Sequence, residues 1–163
     1  MSIDTAPPRE STPPRDWQTP RAAHDARAIV ESIVASQGFA RLLGYRVVDA
    51  ADLAVTLAMP ASEALLQPYV VHGGAIASLA EGACTLSVLT RLWPEHWVTT
   101  VEQSVRYLRP ISAEQIVDGA MLHAFAHVRR FGKTLSFVET TVTFGGREIA
   151  TAQSTQMRQP RPR

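Results

Sequence analysis

Gly73-Gly74-Ala75-Ile76-Ala77-Ser78-Leu79-Ala80-Glu81-Gly82-Ala83-Cys84-Thr85-Leu86-Ser87-Val88-Leu89-Thr90-Arg91-Leu92 reads as one long helix. Ile76, Leu79, Ala80, Ala83, Leu86 and Leu89 leave almost no polar side at a period of 3.6, so most of its surface needs cover. The spacing predicts a helix over roughly 74–91. Its many small residues let other backbone approach closely. A helix of this kind needs a wide sheet around it.

The flanking sequence supplies that sheet. Trp97 to Leu108, Gln115 to about Arg129, Thr134 to Phe144 and Glu148 to Met157 are β-rich runs. Gly132-Lys133 and Gly145-Gly146 mark tight turns between the last three, and short connections imply antiparallel neighbours. Before the helix come two shorter strand-like runs, Tyr45 to Val48 and Leu53 to Met59. Leu53, Val55, Leu57 and Met59 alternate onto one face, and Pro60 ends the run. From Ala22 to about Leu43 the pattern is helical, with Gly38 as an interruption or cap. Elements segregated in this way define an α+β class and exclude alternating βαβ folds.

Composition agrees with one globular domain. The chain has 163 residues, 45% hydrophobic and 19% charged, with a net charge of +1. That balance argues against a strongly basic nucleic-acid binder and sets no nucleic-acid partner as the expectation. No secretory signal is visible at the start, and polar residues interrupt the longest apolar run, so no membrane segment is expected. Cys84 is the single cysteine, which precludes an internal disulfide and fits a reducing, cytoplasmic location. Five of the 11 prolines lie in the first 20 residues. We therefore expect a disordered tail over 1–20, one domain over 21–158, and a frayed end over 159–163.

Three features carry possible chemistry. Gln67-Pro68-Tyr69-Val70-Val71-His72-Gly73-Gly74 leads straight into the helix. Glycines there either permit a tight turn or let a ligand meet the unpaired N–H groups of the first helical turn. Those groups suit a carbonyl oxygen that is becoming negative. Glu81 is a carboxylate on a helix built for burial. Ser78 and Thr85 share its face, and no Lys or Arg stands three or four residues away. Glu81 either faces solvent or serves as a general base or nucleophile. His72 is expected to hold the turn and assist a carbonyl, without acting as the proton-transfer base.

The run Val71-His72-Gly73-Gly74-Ala75-Ile76-Ala77-Ser78-Leu79-Ala80-Glu81 resembles the His-Gly-Gly signature of hotdog-fold thioesterases, the PaaI-like phenylacetate-degradation group. Thr99 to Pro110, ending in Tyr107-Leu108-Arg109-Pro110, resembles a strand of that family. Arg130-Phe131-Gly132-Lys133-Thr134 resembles its hairpin. The resemblance covers about residues 25–158. It implies a sheet wrapped around the long helix, a dimer or dimer of dimers, and sites at the subunit interface acting on acyl-CoA. It implies that the Gly73 N–H polarises the thioester carbonyl beside Gly74, and that Glu81 drives hydrolysis with Thr85 as companion. A hydroxyl on the facing subunit maps to Thr100. The family often has Asn or Gln six residues before the His; here that residue is Leu66, and Gln67 is the substitute. Arg129, Arg130, Lys133 and Thr134, with Arg109, are the candidates for the coenzyme A phosphates. No cofactor is implied.

Competing readings differ in sequence. An inert acyl-CoA-binding or assembly module needs no carboxylate at Glu81. A hotdog dehydratase needs an Asp-x-Asn-Pro-x-His type of loop, which does not occur. Serine hydrolysis lacks G-x-S-x-G. Metal-dependent hydrolysis lacks H-E-x-x-H or clustered His and Cys, so no metal is expected.

Overall fold

The computed structural model of the chain describes residues 16–161. Two helices open it, α1 (Ala23–Ser36) and α2 (Gly38–Leu42). Strands β1 (Arg46–Ala51), β2 (Ala54–Pro60), β3 (Leu66–Gln67) and β4 (Val70–Val71) follow. Helix α3 (Gly73–Leu92) comes next, then β5 (His96–Tyr107), β6 (Met121–Phe131), β7 (Leu135–Phe144) and β8 (Arg147–Pro160). Six strands form one antiparallel sheet in the order β1-β2-β6-β7-β8-β5. β3 and β4 make a separate short hairpin.

The sheet wraps α3, the hotdog arrangement. Inward residues alternate along each strand: Val55, Leu57 and Met59 on β2, Leu122, Ala124 and Ala126 on β6, Val138 and Val142 on β7. They close on Ile76, Leu79, Ala80, Ala83, Leu86, Val88, Leu89 and Leu92 of the helix. Each large side chain buried there contributes roughly 1.5–3 kcal/mol. Helix α1 lays Ala26, Val30, Ile33 and Val34 against β1 and α3. By length and composition alone α3 is long and apolar enough to cross a bilayer. Ser78, Glu81, Thr85 and Ser87, read in the sequence as interruptions, do not lower it below that composition. Here its apolar surface is used inside the sheet.

Several boundaries differ from expectation. Leu53 was expected on the inner face of β2. It instead occupies the β1–β2 turn with φ 61°, held there by Thr90 Oγ1, which accepts its N–H at 2.8 Å. The strand expected from Gln115 begins only at Met121. Ser112 and Gln115 cap a single 3₁₀ turn, and Gly119 has φ 77°, so the chain cannot yet extend. Residues 1–15, 162 and 163 of the expected end segments lie outside the described residues. The described part of those segments is engaged. Trp17 packs against Phe131 with ring centroids 5.7 Å apart and planes tilted by 53°, under the Arg158 guanidinium. β8 stays paired through Pro160, and Arg161 covers Trp93. Aromatic and cation–π contacts anchor both ends.

Candidate active site

The first group of site residues surrounds the start of α3. His72 is the N-cap, and its Nδ1 accepts the Gly74 N–H at 2.8 Å. A nitrogen that accepts carries no proton, so the ring proton sits on Nε2. His72 thus holds the turn. A Cβ on Gly74 would lie 2.8 Å from that Nδ1, and one on Gly73 would lie 3.2 Å from the Tyr107 ring. Both glycines therefore answer close approaches. Tyr107 Oη donates to the Gly73 carbonyl at 3.0 Å. The Gly73 N–H finds no acceptor among the described residues. An open groove of about 520 Å³ lies over this helix start, lined by Gln67, His72, Gly73, Gly74, Tyr107 and Arg109, among others. The β3–β4 hairpin carries Gln67 to it.

The second group surrounds Glu81, which is half-buried. Its Oε1 accepts from Thr85 Oγ1 at 2.9 Å and from Thr100 Oγ1 at 2.6 Å. Its Oε2 has no partner among the described residues, and no ion pair engages the carboxylate. Ser78, expected on this seam, donates instead to the Gly74 carbonyl at 2.8 Å. Thr100 was expected from a facing subunit. It reaches Glu81 within one chain, because β5 runs alongside α3. The Tyr45 hydroxyl is buried without a partner, and burial followed by the Glu81 charge pushes its pKa up. Burial pushes the Cys84 thiol up to about 11, with the Thr140 hydrogen bond opposing and the Glu81 charge adding to it. Cys84 is therefore a poor nucleophile near neutral pH.

A β-bulge aims this group. β5 pairs Thr100 with Gln156 and then Glu102 with Thr155, leaving Val101 as the extra residue. Thr100 and Gln103, three apart, consequently both face the helix. Gln103 Nε2 donates to the Ala77 carbonyl at 3.0 Å. Strict alternation would have brought Glu102 inward, placing a second carboxylate beside Glu81.

The third group, Arg129, Arg130, Lys133 and Thr134, lies at the β6–β7 hairpin. That end of the sheet is where α3 finishes: Phe131 packs under Arg91. A 20-residue helix is about 30 Å long, so one chain does not bring these residues to Gly73. Arg129 is instead 3.6 Å from Glu139. Arg109 does sit at the groove, donating to the Glu148 carbonyl at 2.6 Å, with Arg147 beside it. Arg147, Gln103 and Gln156 escaped the sequence reading. Their positions depend on strand pairing, and nothing in their local sequence marks them.

The two halves of the expected chemistry are also apart. Gly73 and Glu81 are eight residues apart, about 12 Å along the axis. One thioester carbonyl cannot meet both within a single chain.

Comparison with known proteins agrees with this architecture. Residues 69–150 match the family model described as the thioesterase superfamily. A Halobacterium salinarum protein whose name reads "Putative esterase" is 35% identical over 127 residues, 74% of this chain and 79% of that protein. The chain belongs to the thioesterase superfamily. Its fold is that of the Escherichia coli PaaI protein from the phenylacetic acid degradation operon: TM-score 0.75, 20% identity, 85% of this chain and 96% of that one. A thioesterase family protein from Silicibacter pomeroyi matches with TM-score 0.73 and 26% identity, over 83% of this chain and 99% of that one. Membership supports thioester hydrolysis in general.

Proposed function

We propose that the protein hydrolyses acyl-CoA thioesters to free acid and coenzyme A, at sites built from two copies of the chain. The observation that carries this is the unused hydrogen-bonding capacity on α3. The Gly73 N–H and Glu81 Oε2 both lack a partner among the described residues, and they are too far apart to serve one substrate in one chain. A second copy removes the distance. β5 is an edge strand of 12 residues with an unpaired side, a ready surface for another strand. Antiparallel pairing of two β5 edges about Gln103 and Ser104 sets Tyr107 of one chain opposite Thr100 of the other. Tyr107 covers Gly73, and Thr100 touches Glu81. The pairing thus brings the helix start of one copy to the carboxylate of the other, twice.

In that site the thioester carbonyl accepts from the Gly73 N–H at the positive end of α3. Glu81 then attacks the carbonyl carbon, forming a mixed anhydride that water afterwards hydrolyses to the free acid and the restored carboxylate, or it takes a proton from the water that attacks. The C–S bond breaks and coenzyme A leaves as thiolate. The hydroxyls of Thr85 and Thr100 hold the carboxylate in place. Arg109 at the groove, with the far hairpin of the partner at a similar level along the sheet, supplies cations for the nucleotide phosphates. The reading includes a cytoplasmic location, in keeping with the free thiol of Cys84.

The test is thiol release from aryl, short-, medium- and long-chain acyl-CoAs, beside a short thioester lacking the nucleotide. Hydrolysis of at least one acyl-CoA is expected. Binding without any thiol release would leave a non-catalytic acyl-CoA-binding module. Replacing Arg129, Arg130 and Lys133 together by Ala should raise KM for acyl-CoA and spare the short thioester, because contacts remote from the reacting carbon act mainly on binding.

A further inference from the structure

We propose that Gln156 is a positioning residue for Glu81, the centre of a chain of hydrogen bonds whose direction is fixed by a backbone carbonyl. The proposal rests on the reading of Glu81 given above. Gln156 lies on β8, is 1% exposed, and pairs directly with Thr100 on β5. Ser154 Oγ lies 3.1 Å from the Glu102 carbonyl oxygen, which can only accept. With the Ser154 hydroxyl hydrogen directed to that carbonyl, its oxygen is left to accept. The 2.7 Å contact between Ser154 Oγ and Gln156 must then be a donation from the amide Nε2. In this orientation the amide turns Oε1 towards the two threonines. Its second hydrogen goes to Thr100 Oγ1 at 3.1 Å.

Thr100 has one hydrogen of its own. Having accepted from Gln156, it delivers that hydrogen to Glu81 Oε1 at 2.6 Å. Gln156 Oε1 is the competing acceptor, but it is 3.3 Å from Thr100 Oγ1 and 3.4 Å from Thr85 Oγ1, longer in both cases than Glu81. Both threonine hydrogens thus converge on one carboxylate oxygen. Oε1 is satisfied and fixed in place, and Oε2 is the oxygen left for a water or a carbonyl carbon. An apolar residue at 156 would fill the same space. It would also free the Thr100 hydroxyl to rotate, and the carboxylate would lose its set orientation.

The experiment compares Gln156→Met, Gln156→Glu and Ser154→Ala with Glu81→Gln and Thr100→Val, reading kcat, KM and melting temperature on one hydrolysed acyl-CoA. Gln156→Met should lower kcat ~10-fold and move KM less than about twofold, the split expected of a group that acts at the reacting centre and not on ground-state binding. Gln156→Glu puts an acceptor where the donor stood, drawing the Thr100 hydrogen away, and should be worse than Gln156→Met. A residue that only packs would keep kcat in Gln156→Met, which fills the same space. Ser154→Ala is small enough to fold whatever becomes of the Gln156 variants. It should lower kcat a few-fold without touching Glu81. In a Thr100→Val background Gln156→Met should add almost nothing, because the two act in series.

Additive losses, or wild-type kcat in both Gln156→Met and Ser154→Ala, would overturn the proposal. Glu81→Gln separates the two levels. Full turnover there removes the reading of Glu81 itself. Lost turnover there, with wild-type kcat in Gln156→Met and Ser154→Ala, removes only the role of Gln156.

Discussion

The two halves of α3 treat their polar atoms differently. From Leu86 to Leu92 every residue but Arg91 is buried. Ser87 Oγ donates to the Cys84 carbonyl at 2.7 Å, and Thr90 Oγ1 donates to the Ser87 carbonyl at 2.7 Å while accepting from Leu53. Arg91 is paired with Asp52. Nothing there is left to bind a substrate. From Gly73 to Thr85 the helix is less covered. Among the described residues it keeps a free N–H at Gly73 and a free oxygen on Glu81. The lesson concerns cost. A buried polar atom without a partner is expensive, and the second half of α3 satisfies its own within the fold. Spare capacity beside bulk solvent or an interface is where chemistry can be placed.

Substitutions can break this contrast. Glu81→Gln should lower kcat by at least ~10²-fold, the lower range for a lost acid–base group, with little change in melting temperature. Single-turnover hydrolysis beside binding of a non-hydrolysable acyl-CoA analogue checks it. Unchanged turnover would show that the first half is as purely structural as the second. Thr90→Val should do the reverse. It leaves the Leu53 N–H without its acceptor and should cost about 1–3 kcal/mol in denaturant unfolding, with kcat intact. Gly74→Ala forces its Cβ against His72 Nδ1 and dislodges the cap, for about 1 kcal/mol of stability, the usual worth of an N-cap. Unfolding and turnover measured together decide how far the helix start serves each role.

The smallest effect is on Cys84, which sits where the two halves meet. With its thiol raised to about 11, iodoacetamide at pH 8 should leave it unlabelled in the native protein and label it fully in denaturant. The sign of its pH dependence follows. The folded state holds the proton more tightly than the unfolded state does. Its contribution to stability is complete below about pH 9 and is lost as the pH rises towards 11. Rapid native labelling would mean that α3 opens locally between its halves.

Much of this molecule is legible in one dimension. The apolar run from Gly73, the alternation on β2 and the glycine turns between the last strands state the layers, because periodicity reports which side of an element is covered. Glu81 and Thr85 are legible as well, since residues four apart on a helix must be neighbours. The eight-residue interval between Gly73 and Glu81 was equally open to view. It acquires meaning only once α3 is seen as one unbroken helix with Thr100 of the same chain on the carboxylate, so that a substrate spanning both groups needs a second copy. The bulge at Val101 is different in kind. No local pattern announces that Thr100 and Gln103 share a face, and the run from Val98 to Tyr107 reads equally well in strict alternation.

The sequence by itself determined the buried helix, the capped glycine start and the carboxylate two turns on, because each depends on residues within a few positions of one another. Strand pairing decided the rest. It set Gln156 opposite Thr100, placed Ser154 against the Glu102 carbonyl, and sent Arg129, Arg130 and Lys133 to the far end of the sheet. Those relations join residues some 50 positions apart, and they are fixed by register, a property of two strands together that neither strand carries alone.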